Sequence, residues 1–215
     1  MSAIFRSAKA APPRGKVAEG ETRLIFREFA ESLNLIEDFD QITLNFLGTV
    51  KESVPVERLA FFIYDNDLAQ FRISAAMGID ETQLGSVAFS PHDRLAKWLK
   101  INKAFLDVQG QPGVFDYLGE KEREVFTTFG FGLCYPLLSM NRLIGILCLG
   151  PKTDGQGYTR HELGFIESLT PQAGIALENA LLYKEQRERF RRMIRADRLA
   201  TIGELAAGAA HEIRN

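Results

Sequence analysis

Apolar residues recur at helical spacing through the first patterned part of the chain. From Glu21 to Val54 they lie mostly three or four residues apart, which predicts one or two amphipathic helices because this spacing places them on one helix face. Residues 1–20 combine Ala, Pro, Gly and scattered charges without a period. We expect a flexible arm there.

Two pairs of segments have the composition of β-hairpins. Arg58–Tyr64 and Gln70–Ala76 are rich in β-branched and aromatic residues and flank the turn-like residues 65–67. Phe131–Leu138 and Leu143–Leu149 form the second pair. Between the hairpins the pattern predicts a helix at Asp93–Lys100, an extended segment at Ala104–Val108 and a helix at Phe115–Phe129. The fold class predicted is therefore α+β, with an antiparallel sheet flanked by helices.

Composition and charge narrow the function classes. The chain has 215 residues, of which 46% are hydrophobic and 25% charged, enough for one sizeable core and an appendage. A formal net charge of -2 gives no reason to expect nucleic acid or an anionic membrane as partner. The longest apolar runs fall far short of the roughly 20 residues that span a bilayer. No membrane span is expected, and a cytoplasmic location is predicted.

The two cysteines and three histidines limit the chemistry. Cys134 and Cys148 lie in apolar, strand-like runs, which favours buried thiols in a reducing compartment over a disulfide framework. His92, His161 and His211 are the only histidines. No metal site is predicted, since a haem or an iron cluster needs several such ligands at suitable spacing.

The second hairpin and the segment after it carry a family resemblance. Gly130–Leu138 and Leu143–Gly150 resemble the last strand pair of a GAF domain, and Gln172–Tyr183 resembles its closing helix. The resemblance covers residues 21–183. It implies a ligand cavity between the sheet and the loops from Gly78 to Gly130, with a ligand of unknown identity. Pro171, just before the closing helix, predicts a kink or a helix restart.

The resemblance suggests which residues line that cavity: Phe62, Tyr64, Trp98, Phe131 and Cys134. For each aromatic, ordinary core packing is the favoured alternative, because aromatic side chains dominate cores. The sequence motif of cyclic-nucleotide-binding GAF domains matches only in part, since Gly119 stands where that motif has an Asp. No cysteine lies near the predicted pocket helix, so no bilin chromophore is expected.

A second resemblance covers the last twenty residues. Ala196–Asn215 resembles the H-box helix of bacterial sensor histidine kinases. Its residues at seam spacing are three or four apart, as in a coiled coil: Leu199, Ile202, Ala206, Ala209 and Ile213. We therefore expect a long dimerisation helix that pairs in a homodimer, as part of a four-helix bundle that begins at residues 199–215.

The H-box resemblance assigns three roles. It implies that His211 is the phosphoacceptor, that Glu212 orients the imidazole and takes its proton, and that Asn215 positions water during dephosphorylation of a response regulator. Asn215 stands where a zinc-protease helix of the His-Glu-x-x-His type needs its second His, which removes that alternative.

The partners follow from the same resemblance. The parent kinase would use ATP with Mg, bound by its own ATP-binding domain, and would transfer the phosphoryl group to a response regulator. Nothing in this sequence resembles an ATP site, so we expect the fragment to be inactive alone and to end just after the H-box.

Residues 184–198 are predicted to form a signalling helix between the GAF-like region and the H-box-like region. Their apolar stripe breaks phase, since the step from Ile194 to Leu199 is five residues. A change in helix packing at this break would present or hide His211. The alternatives left open are a non-enzymatic GAF ligand-binding or dimerisation module and a GAF domain that feeds a cyclase or a transcription activator.

Overall fold

The computed structural model describes residues 39–80, 82, 87–108 and 110–214, and leaves the side chains of residues 112, 200, 201 and 203–214 undescribed. The predicted arm at residues 1–20 and the first part of the predicted helical region, residues 21–38, lie outside the described residues.

Six antiparallel strands form one sheet in the spatial order β3-β2-β1-β6-β5-β4. The strands are β1 (Leu59–Asp65), β2 (Gln70–Met77), β3 (Ala88–Phe89), β4 (Leu106–Asp107), β5 (Leu133–Ser139) and β6 (Arg142–Leu149). Both predicted hairpins are confirmed, with boundaries that differ by at most two residues. The two-residue β3 was not predicted, because so short a strand has no period to read.

Five helices accompany the sheet within the described residues: α1 (Phe39–Ser53), α2 (Arg94–Asn102), α3 (Pro112–Tyr117), α4 (Glu120–Phe129) and α5 (Arg160–Arg214). The single helix predicted at Phe115–Phe129 is wrong, since two helices meet there. Leu118 and Gly119 adopt extended backbone conformations between them, and Gly119 is the N-cap of α4.

Helix α5 runs through Pro171, so a restart there is wrong, while the alternative of a kink stays a prediction. Pro171 has no amide hydrogen, so the carbonyl of Glu167 loses its usual helical donor. The hydroxyl of Thr170 donates to that carbonyl at 3.2 Å instead. This side-chain bond satisfies the acceptor that Pro171 leaves without a backbone donor.

The two faces of the sheet are covered by different helices. On one face, Phe46 of α1 meets Phe61 of β1 edge to face, with ring centroids 5.6 Å apart. The first turns of α5 lie on the same face, where the hydroxyl of Tyr135 donates to the carbonyl of Leu163. A Cβ on Gly174 would lie 2.8 Å from the carbonyl oxygen of Leu138, so this close approach requires glycine.

The opposite face packs against α2 and α4. Leu95 and Leu99 of α2 and Phe126 of α4 join the side chains of the central strands in one buried cluster. Alternation along β1 sends Phe61 to the first face and Phe62 to this one, as expected for a sheet covered on both sides. A boundary between two compact units falls after Glu178, within α5.

Candidate functional site

The predicted pocket residues all belong to the cluster under α2 and α4. Phe62, Phe131 and Cys134 are buried in it, while Tyr64 and Trp98 are partly buried and pack against it. The structure therefore brings the five predicted side chains to one region of the fold.

Ring contacts occupy much of this region. Phe62 lies 4.8 Å from Phe89, measured between ring centroids, and Phe131 stacks on Phe129 at 5.6 Å. Such contacts are those of a packed core. They agree with the core-packing alternative for these aromatics, and a ligand-lining role for them stays a prediction.

A buried carboxylate lies at the edge of the same cluster. Glu122 is only 2% exposed. One carboxylate oxygen accepts the amide hydrogen of Leu95 at 2.6 Å, and the other accepts that of Gly119 at 2.6 Å. Glu122 thereby links the first turn of α2 to the start of α4, and satisfies two donors that helix starts leave open.

Sequence reasoning missed Glu122. The signal available was its position three residues after the N-cap Gly119, where a glutamate commonly accepts the N-cap amide hydrogen. The long-range bond to Leu95 gives no sequence signal, because the two residues are far apart in the chain.

An ion cluster holds the loop that leads from β6 into α5. The ammonium of Lys152 lies 2.9 Å from Glu162 and 3.2 Å from Asp154. Burial raises the pKa of Glu162, but hydrogen bonds from Thr159 and Lys152 lower it more, so the net pKa is below its usual value. Thr159 and Glu162 also cap the start of α5 reciprocally.

A cavity of about 290 Å³ opens at one end of the sheet, and none of the five predicted residues lines it, although Phe129 of its wall stacks on Phe131. It is lined by Arg58, Gly78, Ile79, Asp80, Thr128 and Phe129. This volume lies at the lower end of the range for organic-ligand pockets, which begins at roughly 300 Å³.

Helix α5 exposes apolar side chains in the predicted linker and at the start of the H-box. Phe190, Met193, Leu199 and Ile202 are each 59–70% exposed. Ion pairs between residues four apart, Arg189 with Glu185 and Arg192 with Glu188, lie on the same segment. An isolated helix with such exposed residues has an apolar surface that a partner could cover.

The H-box residues are described only in part. His211 and Glu212 lie in the helical backbone of α5, which ends at Arg214, but their side chains are outside the described residues. Asn215 is outside them altogether. Their predicted roles stay predictions.

Comparison with protein families gives a match over most of the folded part. A family model for the GAF domain matches residues 38–179, more than half of the chain. The chain belongs to the GAF-domain family. The matched range lies inside the predicted GAF range of residues 21–183 and includes every strand of the sheet.

Solved GAF domains share this fold. One is that of a phosphoenolpyruvate-protein phosphotransferase from Acinetobacter, with a TM-score of 0.59, 12% identity, and coverage of 77% of this chain and 97% of that one. Another, from a GAF domain/HD domain protein of Geobacter sulfurreducens, has a TM-score of 0.57, 19% identity, and coverage of 70% and 98%.

A third belongs to a two-component sensor histidine kinase from Bacillus halodurans. Its TM-score is 0.52, its identity 21%, and the coverage is 69% of this chain and 99% of that one. At these identities the similarity shows the fold alone. Among curated protein sequences none matches this chain significantly.

Two further findings concern membrane-spanning helices and metal-ligand clusters. Across the described residues, no helix is long and apolar enough to cross a membrane. In the same part of the chain, no three His, Cys, Asp or Glu side chains lie together as metal ligands would.

Proposed function

We propose that this chain is the sensory portion of a cytoplasmic two-component sensor histidine kinase, in which the GAF domain controls phosphorylation of His211. The observation that carries the proposal is the H-box block Ala196–Asn215, joined in sequence to a GAF domain. The helical backbone of α5 through Arg214 supports it, because an H-box lies on a helix.

The proposed chemistry is phosphoryl transfer in two steps. An unprotonated imidazole nitrogen of His211 attacks the γ-phosphate of ATP, and ADP leaves. Glu212 orients the ring and takes its proton. The phosphoryl group then passes to an aspartate of a response regulator, and Asn215 positions water when that regulator is dephosphorylated. ATP and Mg would be bound by the ATP-binding domain of the parent kinase, which supplies the charge stabilisation.

Homodimerisation is part of the proposal. The exposed Phe190, Met193, Leu199 and Ile202 would be covered by the same helix of a second copy. Burying a large aliphatic side chain contributes about 1.5–3 kcal/mol, so a few such contacts along each helix support a stable pair.

The second candidate function is a non-enzymatic GAF module that binds a ligand or dimerises. The GAF family assignment supports it, because that assignment covers the GAF domain alone and a fold does not determine which activity the chain controls. It differs from the first candidate in one testable respect, since it requires no phosphate on His211.

The test is a phosphorylation assay on three versions of the full 215-residue chain: wild type, His211→Ala and His161→Ala. His161 is a matched control, since it lies on the same helix and is exposed. Each protein is incubated with radiolabelled ATP, Mg and the purified ATP-binding domain of the parent kinase. We expect label on wild type and His161→Ala but not on His211→Ala. A folded wild-type chain without label would leave the GAF module as the function.

A further inference from the structure

The two cysteines face each other across adjacent strands in the centre of the sheet. Cys134 of β5 and Cys148 of β6 are direct partners in the strand register. Both side chains are fully buried, and their sulfur atoms lie 2.8 Å apart. The two thiols are therefore in direct contact.

The ladder geometry suits a bond between them. The amide of Gly150, directly after β6, donates to the carbonyl of Arg58, directly before β1, so every second residue counted back from Gly150 along β6 directs its backbone groups to β1. Cys148 is one of these residues, and it pairs with Ala60 there. Cys134 and Cys148 are therefore a non-hydrogen-bonded pair of the β5–β6 ladder, a class of pair whose Cα separation is typically about 4.5 Å. This separation falls within the range of roughly 4.4–6.8 Å that disulfides occupy.

Small and apolar neighbours leave the pair enclosed. Ala60 of β1 and Leu106 of β4 flank the two cysteines in the same row across the sheet. Burial, together with the neighbouring Cys148 thiol and Glu122, raises the pKa of the Cys134 thiol. Large oxidants cannot reach the sulfur atoms. Access for a small peroxide would require local opening, for which the edge strand β4, only two residues long, is the candidate.

We propose that Cys134 and Cys148 form a redox modification site, which a small peroxide such as hydrogen peroxide converts to an intrachain disulfide. On local opening one thiol loses its proton, and the thiolate attacks one peroxide oxygen; the sulfur becomes a sulfenic acid, and the departing hydroxide takes up a proton and leaves as water. The second thiol attacks the sulfenic sulfur, forms the S–S bond and releases a second water. In total, two thiols are oxidised and one peroxide is reduced to two waters.

The product would lock the two strands together inside the sensor core. The cluster that contains both cysteines also contains Leu95 and Phe126, from the two helices that cover this face. An oxidised GAF domain would thus differ from the reduced one at the middle of its sheet. The site is independent of the phosphoacceptor proposal and can be correct if that proposal fails.

The test treats the folded full-length chain with hydrogen peroxide and quenches it with acid. Free thiols are then alkylated in denaturant and the intact mass is measured. We expect the wild type to lose both alkylatable thiols together and to become lighter by two hydrogen atoms, with dithiothreitol restoring both thiols. Cys134→Ala and Cys148→Ala, checked for folding by circular dichroism, serve as controls that cannot form the intrachain bond.

Three results would overturn the site. They are a wild-type chain that keeps both thiols, one that gains oxygen atoms without losing two hydrogens, and one that forms only interchain bonds on a non-reducing gel. Each result is read on wild type, so a variant that fails to fold does not affect the conclusion.

Discussion

Glutamate is usually found at protein surfaces, but Glu122 is buried and stabilises this fold through hydrogen bonds. Glu122 accepts two backbone amide hydrogens from different helices while almost wholly buried. Glu122→Gln keeps one acceptor oxygen and places an NH₂ group against the other amide. We expect the free energy of unfolding to fall by about 1–3 kcal/mol.

Urea denaturation followed by the fluorescence of Trp98, the only tryptophan, measures this loss. Glu124→Gln is the matched control, since Glu124 is exposed on the same helix, and it should change stability little. Equal effects of the two substitutions would show that the buried bonds of Glu122 do not stabilise the fold.

The Lys152 cluster predicts a pH dependence at the acidic end. The folded pKa of Glu162 is lowered, so its stabilising effect is complete above the unfolded pKa of about 4.3 and is lost as the pH falls through the folded value. Burial lowers the pKa of Lys152, but the bonds from Glu162 and Asp154 raise it more. Its contribution is therefore kept at neutral pH and is lost only as the pH rises through the folded value.

Glu162→Gln tests the acidic limb. At pH 7 we expect a loss of about 1 kcal/mol, and the variant and the wild type should converge as the pH falls through the folded pKa of Glu162. Thermal unfolding at a series of pH values measures both. Glu167→Gln, exposed on the same helix, is the control. A loss that does not shrink as the pH falls would contradict the ion-pair account.

At the scale of elements, the hairpins could be predicted and one helix could not. Strands such as β1 and β6 can be predicted because they are runs of β-branched and aromatic residues separated from the neighbouring strand by turn residues. The division between α3 and α4 depends on Gly119 and on the long-range bond of Glu122, which periodicity does not show. The five pocket residues could be predicted as a group. The ring contacts that fill the space around them could not, because they depend on residues that are distant in the sequence or on tertiary packing.

The exposed residues of α5 predict dimerisation through this helix. Leu199→Gln places a polar group at a predicted seam position, and we expect it to weaken dimer affinity at least tenfold, equivalent to about 1.4 kcal/mol. Asp197→Gln is the control, because it lies about 160° away around the helix, given about 100° per residue. Analytical ultracentrifugation measures both; a wild-type chain that stays monomeric would contradict the seam.

At the scale of the whole molecule, the phase break between Ile194 and Leu199 is the proposed joint between sensing and phosphorylation. Inserting one residue at Ala196 turns every downstream residue by about 100° relative to the upstream stripe. We expect phosphorylation of His211 in the parent kinase to lose its dependence on the GAF domain. Inserting seven residues, which keeps the heptad phase, is the control. Unchanged regulation after the single insertion would contradict the joint.

The chemical stability of the phosphate tests the central claim most directly. A phosphoryl group on a histidine nitrogen is labile to acid and stable to base, whereas an ester on Ser or Thr survives acid. The labelled wild-type chain, divided between acid and base, should lose its label only in acid, and His211→Ala should carry no such label. Label that survives acid, or acid-labile label that persists in His211→Ala, would contradict the phosphoacceptor role of His211.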